Sequence, residues 1–210
     1  MKLIVISSST DIEEEAAIVT RLFEAGLETF HLRKQKMSAR RTREFLRAVP
    51  AHFHNRIVLH AHHSLAIKFR LKGVHLTRTH KKREFRNKLR LWLLRLRQPA
   101  LQVTTSFSNI GSLFETQPFN LDYAFLSPVF DSLNSKFQGG FTTHSLQSAL
   151  SKSTVPVIAR GGVDIAAIEK AQQLGFAGVA FYSSLWSKKD PVAEFNKVTE
   201  AFTALGIPIE

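Results

Sequence analysis

Short apolar runs alternate along this chain with longer stretches in which apolar residues recur every three or four positions. The first pattern suits buried strands and the second amphipathic helices. Lys2–Ile6 is the first run. Asp11 is expected to cap the helix after it, with Glu13, Glu14 and Glu15 in the first turn and Gly26 at the end. Leu27–Leu32 is the second run, and Ala39–Val49 its helix, stopped by Pro50. Arg56–His60 precedes helix Ser64–Leu71, and Gly73–Leu76 precedes helix Lys82–Arg97. Leu101–Thr105 pairs with helix Asn109–Glu115, and Asp122–Leu126 with a long loop and helix Thr143–Leu150. Val155–Ala159 leads to helix Asp164–Leu174, and Ala177–Tyr182 to a last helix from Asp190 to Leu205.

Eight strand–helix units in 210 residues predict a single-domain (β/α)8 TIM barrel spanning residues 1–210. The alternative is an open doubly wound sheet, which usually carries a glycine-rich first turn. Here that turn reads Ser7-Ser8-Ser9-Thr10, so the barrel is favoured.

Composition narrows the chemistry. The chain has no Cys, which removes disulfides, thiolate catalysis and thiolate metal sites. No apolar run is long enough to span a bilayer, and Met1-Lys2 leads straight into Leu3–Ile6, unlike a signal peptide. A cytoplasmic protein without a membrane partner is expected. The net charge of +12 is unevenly spread: residues 1–32 carry −4, residues 33–97 carry +18 and residues 98–210 carry −2. Such a block draws anions, whether phosphorylated metabolites, nucleic acid or anionic lipid.

A barrel keeps its chemistry at the carboxyl ends of its strands. Those ends carry Arg33, Lys34 and Lys36, then His60, His62 and His63, then His75, Thr77, Thr105 and Ser106. The loop after strand six holds Ser127, Asp131, Ser132, Asn134 and Lys136; strand seven ends in Arg160-Gly161-Gly162 and strand eight in Ser183-Ser184. Two glycines let backbone N–H groups approach a ligand closely, and the segments after strands seven and eight are the usual barrel phosphate site. These residues predict a pocket for an anion-bearing small molecule, such as a phosphorylated substrate.

His31, His60, His62, His63 and His75 invite a nitrogen-ligand metal site, but no carboxylate stands beside them. The reading kept is polar side chains inside the barrel, satisfied by neighbours, with no metal assigned. In the basic helix, Phe85, Leu89, Trp92, Leu93 and Leu96 repeat at helical spacing and are expected to pack on the sheet, leaving the cations solvated. A nucleic-acid partner is therefore not expected, and homo-oligomer formation stays open.

The motifs together resemble the thiamine phosphate synthase/TenI superfamily. Phe30-His31-Leu32-Arg33-Lys34-Gln35 is similar to its strand-two end, and Gly73-Val74-His75-Leu76 to its Gly-Val-His-Leu. Asp122 through Phe130, with Leu126-Ser127-Pro128-Val129, resembles its Asp-Tyr-x-x-x-Gly-Pro-Val-Phe; Ala159-Arg160-Gly161-Gly162-Val163 and Gly178-Val179-Ala180-Phe181-Tyr182-Ser183 match its last two strands. The resemblance implies a transferase of thiamine biosynthesis that joins hydroxymethylpyrimidine diphosphate to thiazole phosphate, releasing diphosphate. It makes Arg33 and Ser106 the catalytic candidates. The candidates for substrate binding are His31, Lys34, Gln35, His60, His75, Ser132, Asn134, Lys136, Arg160, Gly161, Gly162, Ser183 and Ser184. Among these, Gly162 and Ser183 would hold the thiazole phosphate. Magnesium is expected from the family. Its carboxylate positions, however, read His60-Ala61 and Thr77-Arg78-Thr79-His80 here. The alternatives are a TenI-like thiazole tautomerase, whose strand-six His is replaced by Pro128, and a member that only binds the phosphates.

Overall fold

The computed structural model describes residues 1–34, 36–77, 80, 84–115, 119–130 and 141–210. Eight parallel strands close into a barrel in sequence order: β1 (Lys2–Ile6), β2 (Thr29–Leu32), β3 (Ile57–Leu59), β4 (Gly73–Leu76), β5 (Gln102–Phe107), β6 (Tyr123–Leu126), β7 (Val157–Arg160) and β8 (Gly178–Phe181). The ring shuts where Lys2 pairs with Gly178 and Val5 with Phe181. Outside it run α1 (Glu15–Glu24), α2 (Ala39–Ala48), α3 (Ser64–Lys68), α4 (Glu84–Arg97), α5 (Thr143–Lys152), α6 (Ala167–Leu174), the short α7 (Ser183–Trp186) and α8 (Pro191–Ala204).

Period-two alternation sorts each strand between two cores. On β1, Ile4 and Ile6 face inward and meet Tyr123, Phe125, Ile158 and Ala180. Leu3 and Val5 face outward, into the layer that Val19, Leu22, Phe23, Phe195 and Phe202 of the helices complete. This outer layer is where most apolar surface leaves water, at about 1.5–3 kcal/mol for each fully buried large side chain.

Three local expectations are corrected. Helix α1 starts at Glu15, and its N-cap is Glu14 in a left-handed conformation (φ 54°) with no side-chain cap. Asp11 pairs instead with Arg41 at 3.1 Å. The cause is Glu15, which turns inward to Lys34 and to the Ser8 amide. The fifth helix, expected over Asn109–Glu115, is a 3-10 turn over Gly111–Leu113. Asn109 Oδ1 accepts from the Ser112 amide at the start of this turn.

The third correction is larger. Phe85, Leu89, Trp92, Leu93 and Leu96 of α4 point outward, Phe85 being 82% and Trp92 58% exposed, while Leu91 and Leu94 pack inward. The inner face is chosen by polar anchors. Asn87 donates to the His80 carbonyl, Gln98 to the Leu71 carbonyl, and Arg95 to the Leu101 and Asn120 carbonyls and the Asp122 carboxylate. Turning the helix over would leave those carbonyls without their donors.

Candidate functional site

The carboxyl ends of the strands surround two joined hollows. One, of about 590 Å³, lies between Ile6, Ser8, Arg33, Ser127, Arg160, Gly161, Gly162, Tyr182, Ser183 and Trp186. The other, of about 340 Å³, lies between Arg33, His60, His75, Thr77, Ser106, Ser127 and Arg160. Arg33, Ser127 and Arg160 border both.

The β7–β8 side is built from main chain. Gly161 (φ 88°) and Gly162 (φ 70°) both adopt left-handed conformations that a side chain disfavours. A Cβ on Gly161 would lie 3.0 Å from the Pro128 Cα, so this glycine also serves packing against the β6 loop, where Ser127-Pro128 is a cis peptide. Val129 and Phe130 donate to the Arg160 and Gly161 carbonyls, tying that loop to the end of β7. Ser184 Oγ donates to the Val163 carbonyl at 2.7 Å and fixes α7 beside the glycines. Trp186 Nε1 donates to the Ile6 carbonyl and closes the wall at β1.

The β2–β5 side is built from side chains. His31 is fully buried, with Nε2 against the Tyr123 hydroxyl at 2.5 Å and Nδ1 against His60 Nε2 at 2.9 Å. The His60 and His75 rings stack at 4.0 Å. His75 bonds Thr104 Oγ1 through Nδ1 and Ser106 Oγ through Nε2. Burial holds all three imidazoles neutral: His31 is lowered to about 3, and His60 and His75 lie well below the usual histidine range. Arg160 and Arg33 push in the same direction on His60 and His75.

Arg160 donates to Ser106 Oγ at 3.4 Å and lies 6.0 Å from the Phe125 ring. Burial, then the neighbouring Arg33, lowers it to about 10, so it stays charged at neutral pH. Among the described residues neither arginine forms an ion pair with a carboxylate. Two cations that repel each other, one mostly buried, make this part of the mouth positive among the described residues.

Of the candidates, Arg33, His60, His75, Ser106, Arg160, Gly161, Gly162 and Ser183 thus converge on one mouth. His31 lies beneath it, bonded to His60. Lys34 lies to one side, in a buried ion pair with Glu15 and donating to the Thr10 carbonyl. Burial raises the Glu15 carboxyl, and Lys34 opposes the rise. Gln35, Ser132, Asn134 and Lys136 lie outside the described residues, as do Arg78 and Asp131. Sequence reasoning missed Tyr182 and Trp186 as walls and Tyr123 as the partner of His31. Period-two alternation through Tyr123 and Phe125 was the available signal for the last.

A family model described as thiamine monophosphate synthase matches residues 3–185. No curated protein matches the chain. Among solved structures, the chain is similar to a thiamine phosphate pyrophosphorylase from Bacteroides thetaiotaomicron, with 28% identity, a TM-score of 0.78 and coverage of 97% of this chain and 98% of that one. A thiamine phosphate pyrophosphorylase from Pyrococcus furiosus shares 18% identity at a TM-score of 0.75, covering 97% and 96%. The 3-hexulose-6-phosphate synthase of Salmonella typhimurium shares 12% at 0.69, covering 97% and 99%; these last two likenesses speak for the fold.

Proposed function

We propose, from the premise that the chain belongs to the thiamine monophosphate synthase family, that it joins hydroxymethylpyrimidine diphosphate to thiazole phosphate and releases diphosphate. One observation carries the reading: Arg33 and Arg160, without carboxylate partners among the described residues, border both hollows of a mouth whose far wall is Gly161, Gly162 and Ser183. The two hollows suit two anionic substrates held side by side.

The resemblance also implies magnesium, a cation that takes oxygen ligands. Among the described residues, the group of three with metal-ligand spacing is His31, His60 and His75. All its donors are nitrogen, His31 is already bonded to His60, and two of its rings are stacked. That set does not fit magnesium.

In this reading the thiazole phosphate lies against the backbone amides at Gly162 and Ser183, and the diphosphate against Arg33 and Arg160. The bond between the pyrimidine methylene and the diphosphate oxygen breaks, and the oxygen keeps the electron pair. The two guanidiniums stabilise that growing charge, and Ser106, held by His75 and Arg160, can donate to it. The thiazole nitrogen then bonds to the methylene carbon and becomes the positive thiazolium nitrogen. No proton has to be removed, which suits a mouth lined by neutral imidazoles. Supplying both substrates to the purified protein, with magnesium added, should release diphosphate. Arg33→Ala should lower the rate by about a hundredfold or more. No turnover in the parent protein would remove this reading.

A second reading has its own support. His60 borders the mouth and its ring is held by His31, itself bonded to Tyr123, so it can take a proton from one position of a bound thiazole and return it at another. That suits a tautomerase acting on thiazole phosphate. Isomerisation of the thiazole without diphosphate release, lost in His60→Gln, would favour it. Thermal stabilisation by the phosphates without either reaction would leave a binding protein.

A further inference from the structure

The outer face of α4 serves neither the barrel nor its mouth. Phe85, Leu89, Trp92, Leu93 and Leu96 occupy positions i, i+4, i+7, i+8 and i+11, so they form one stripe along the helix, and each is at least half exposed. Exposed single apolar residues are ordinary, but five large ones in a row mark a contact surface. Basic residues border the stripe on both sides. Arg86, Arg90 and Arg97 fall on one edge, and Lys88 on the other. Arg95 is engaged with Asp122 and takes no part. Beside Trp92, a cleft of about 220 Å³ opens between Leu91, Arg95 and Phe119.

We propose that this face seats on an anionic lipid bilayer, the stripe entering the headgroup–acyl boundary and the flanking cations meeting lipid phosphates and carboxylates. A protruding helix with Trp, Phe and Leu on its outward face and three arginines along one edge has the composition of an interfacial helix. Here the helix is already folded and tethered by Leu91, Leu94, Asn87 and Gln98, so binding need not order it. No helix of the described residues is long and apolar enough to cross a membrane, and the contact proposed is with its surface.

Charge decides against the other occupants. A second copy laid on the same stripe would bring Arg86, Lys88, Arg90 and Arg97 against the identical set, an arrangement that like charges oppose. A nucleic-acid backbone would meet the cations but leave the five apolar side chains in water. The expectation of no membrane partner rested on the lack of a spanning apolar run, which does not bear on a surface contact of this kind.

The test is co-sedimentation of the whole protein with vesicles. It should bind vesicles of equal parts phosphatidylcholine and phosphatidylserine, and bind phosphatidylcholine alone roughly tenfold more weakly. Raising the salt from 0.05 M to 0.5 M should release it, because the charge term is screened. Trp92→Glu and Leu96→Glu should each abolish sedimentation while the circular dichroism spectrum and substrate-induced thermal stabilisation stay as in the parent. Four outcomes would overturn the proposal: no binding to the anionic vesicles at low salt, equal binding to both vesicle types, a dimer broken by Trp92→Glu without vesicle binding, or retarded nucleic-acid probes without vesicle binding. A failed coupling assay leaves this test untouched, since the face lies outside the mouth.

Discussion

The two sides of the mouth are made of different materials. On the β7–β8 side the proposed phosphate contacts are main-chain amides, which depend on the left-handed φ of Gly161 and Gly162. On the β2–β5 side they are side chains, joined by Arg160 reaching across from the end of β7, and every role depends on which residue is present: His60 against His31, Ser106 against His75, Arg33 against Arg160. A main-chain cradle tolerates change around it as long as its glycines stay. A side-chain wall changes its chemistry with each substitution. Under the proposed function, this contrast lets the phosphate side stay while histidines stand where the resemblance leads one to expect magnesium carboxylates.

The contrast can be broken by comparing which kinetic constant each side controls. Arg160→Ala should have the largest effect, lowering kcat for diphosphate release by about a hundredfold or more, because the lost charge acts where negative charge grows. Gly162→Val forces a β-branched residue into φ 70° and displaces the amides, so KM for thiazole phosphate should rise about tenfold with a smaller change in kcat. If Arg160→Ala altered only KM, the division between the two sides would fail.

The histidine side should also be the acid-sensitive one. In the unfolded chain each histidine takes up a proton near pH 6.5, whereas folded His31 resists until about 3. The unfolded state therefore binds more protons below pH 6.5. The stability this gives the fold is complete above that pH and lost as the pH falls toward 3. At pH 5 His31 alone should cost about 2 kcal/mol, and urea unfolding of His31→Gln should show a flatter decline between pH 7 and 5 than the parent. Smallest of all, Ser184→Ala removes one hydrogen bond to Val163 and should cost about 1 kcal/mol in the same experiment, with little change in KM.

The barrel was legible because strands buried on both faces leave unbroken apolar runs, and glycines and helix periods punctuate them. Arg33, Arg160, Gly161, Gly162 and Ser183 were legible because a barrel fixes which end of a strand carries the chemistry. The orientation of α4 was not legible, for a physical reason. Leu91 and Leu94 on one face and the Phe85–Leu96 stripe on the other both repeat at helical spacing, and hydrophobic period alone cannot rank two apolar faces. The ranking came from Asn87, Arg95 and Gln98 reaching carbonyls that only the folded barrel supplies. The pairing of Lys34 with Glu15 was not legible for a similar cause, since Glu15 comes from a helix whose start shifted.

The row formed by Tyr123, His31 and His60 carries a property of its own. A neutral imidazole owns a single N–H, so His31 donates to one neighbour and accepts from the other. The row therefore has two proton orders, running toward β3 or toward β6, and exchanging them requires every hydrogen to move in concert. Because His60 borders the mouth, the row links the entrance to a phenol buried inside the barrel.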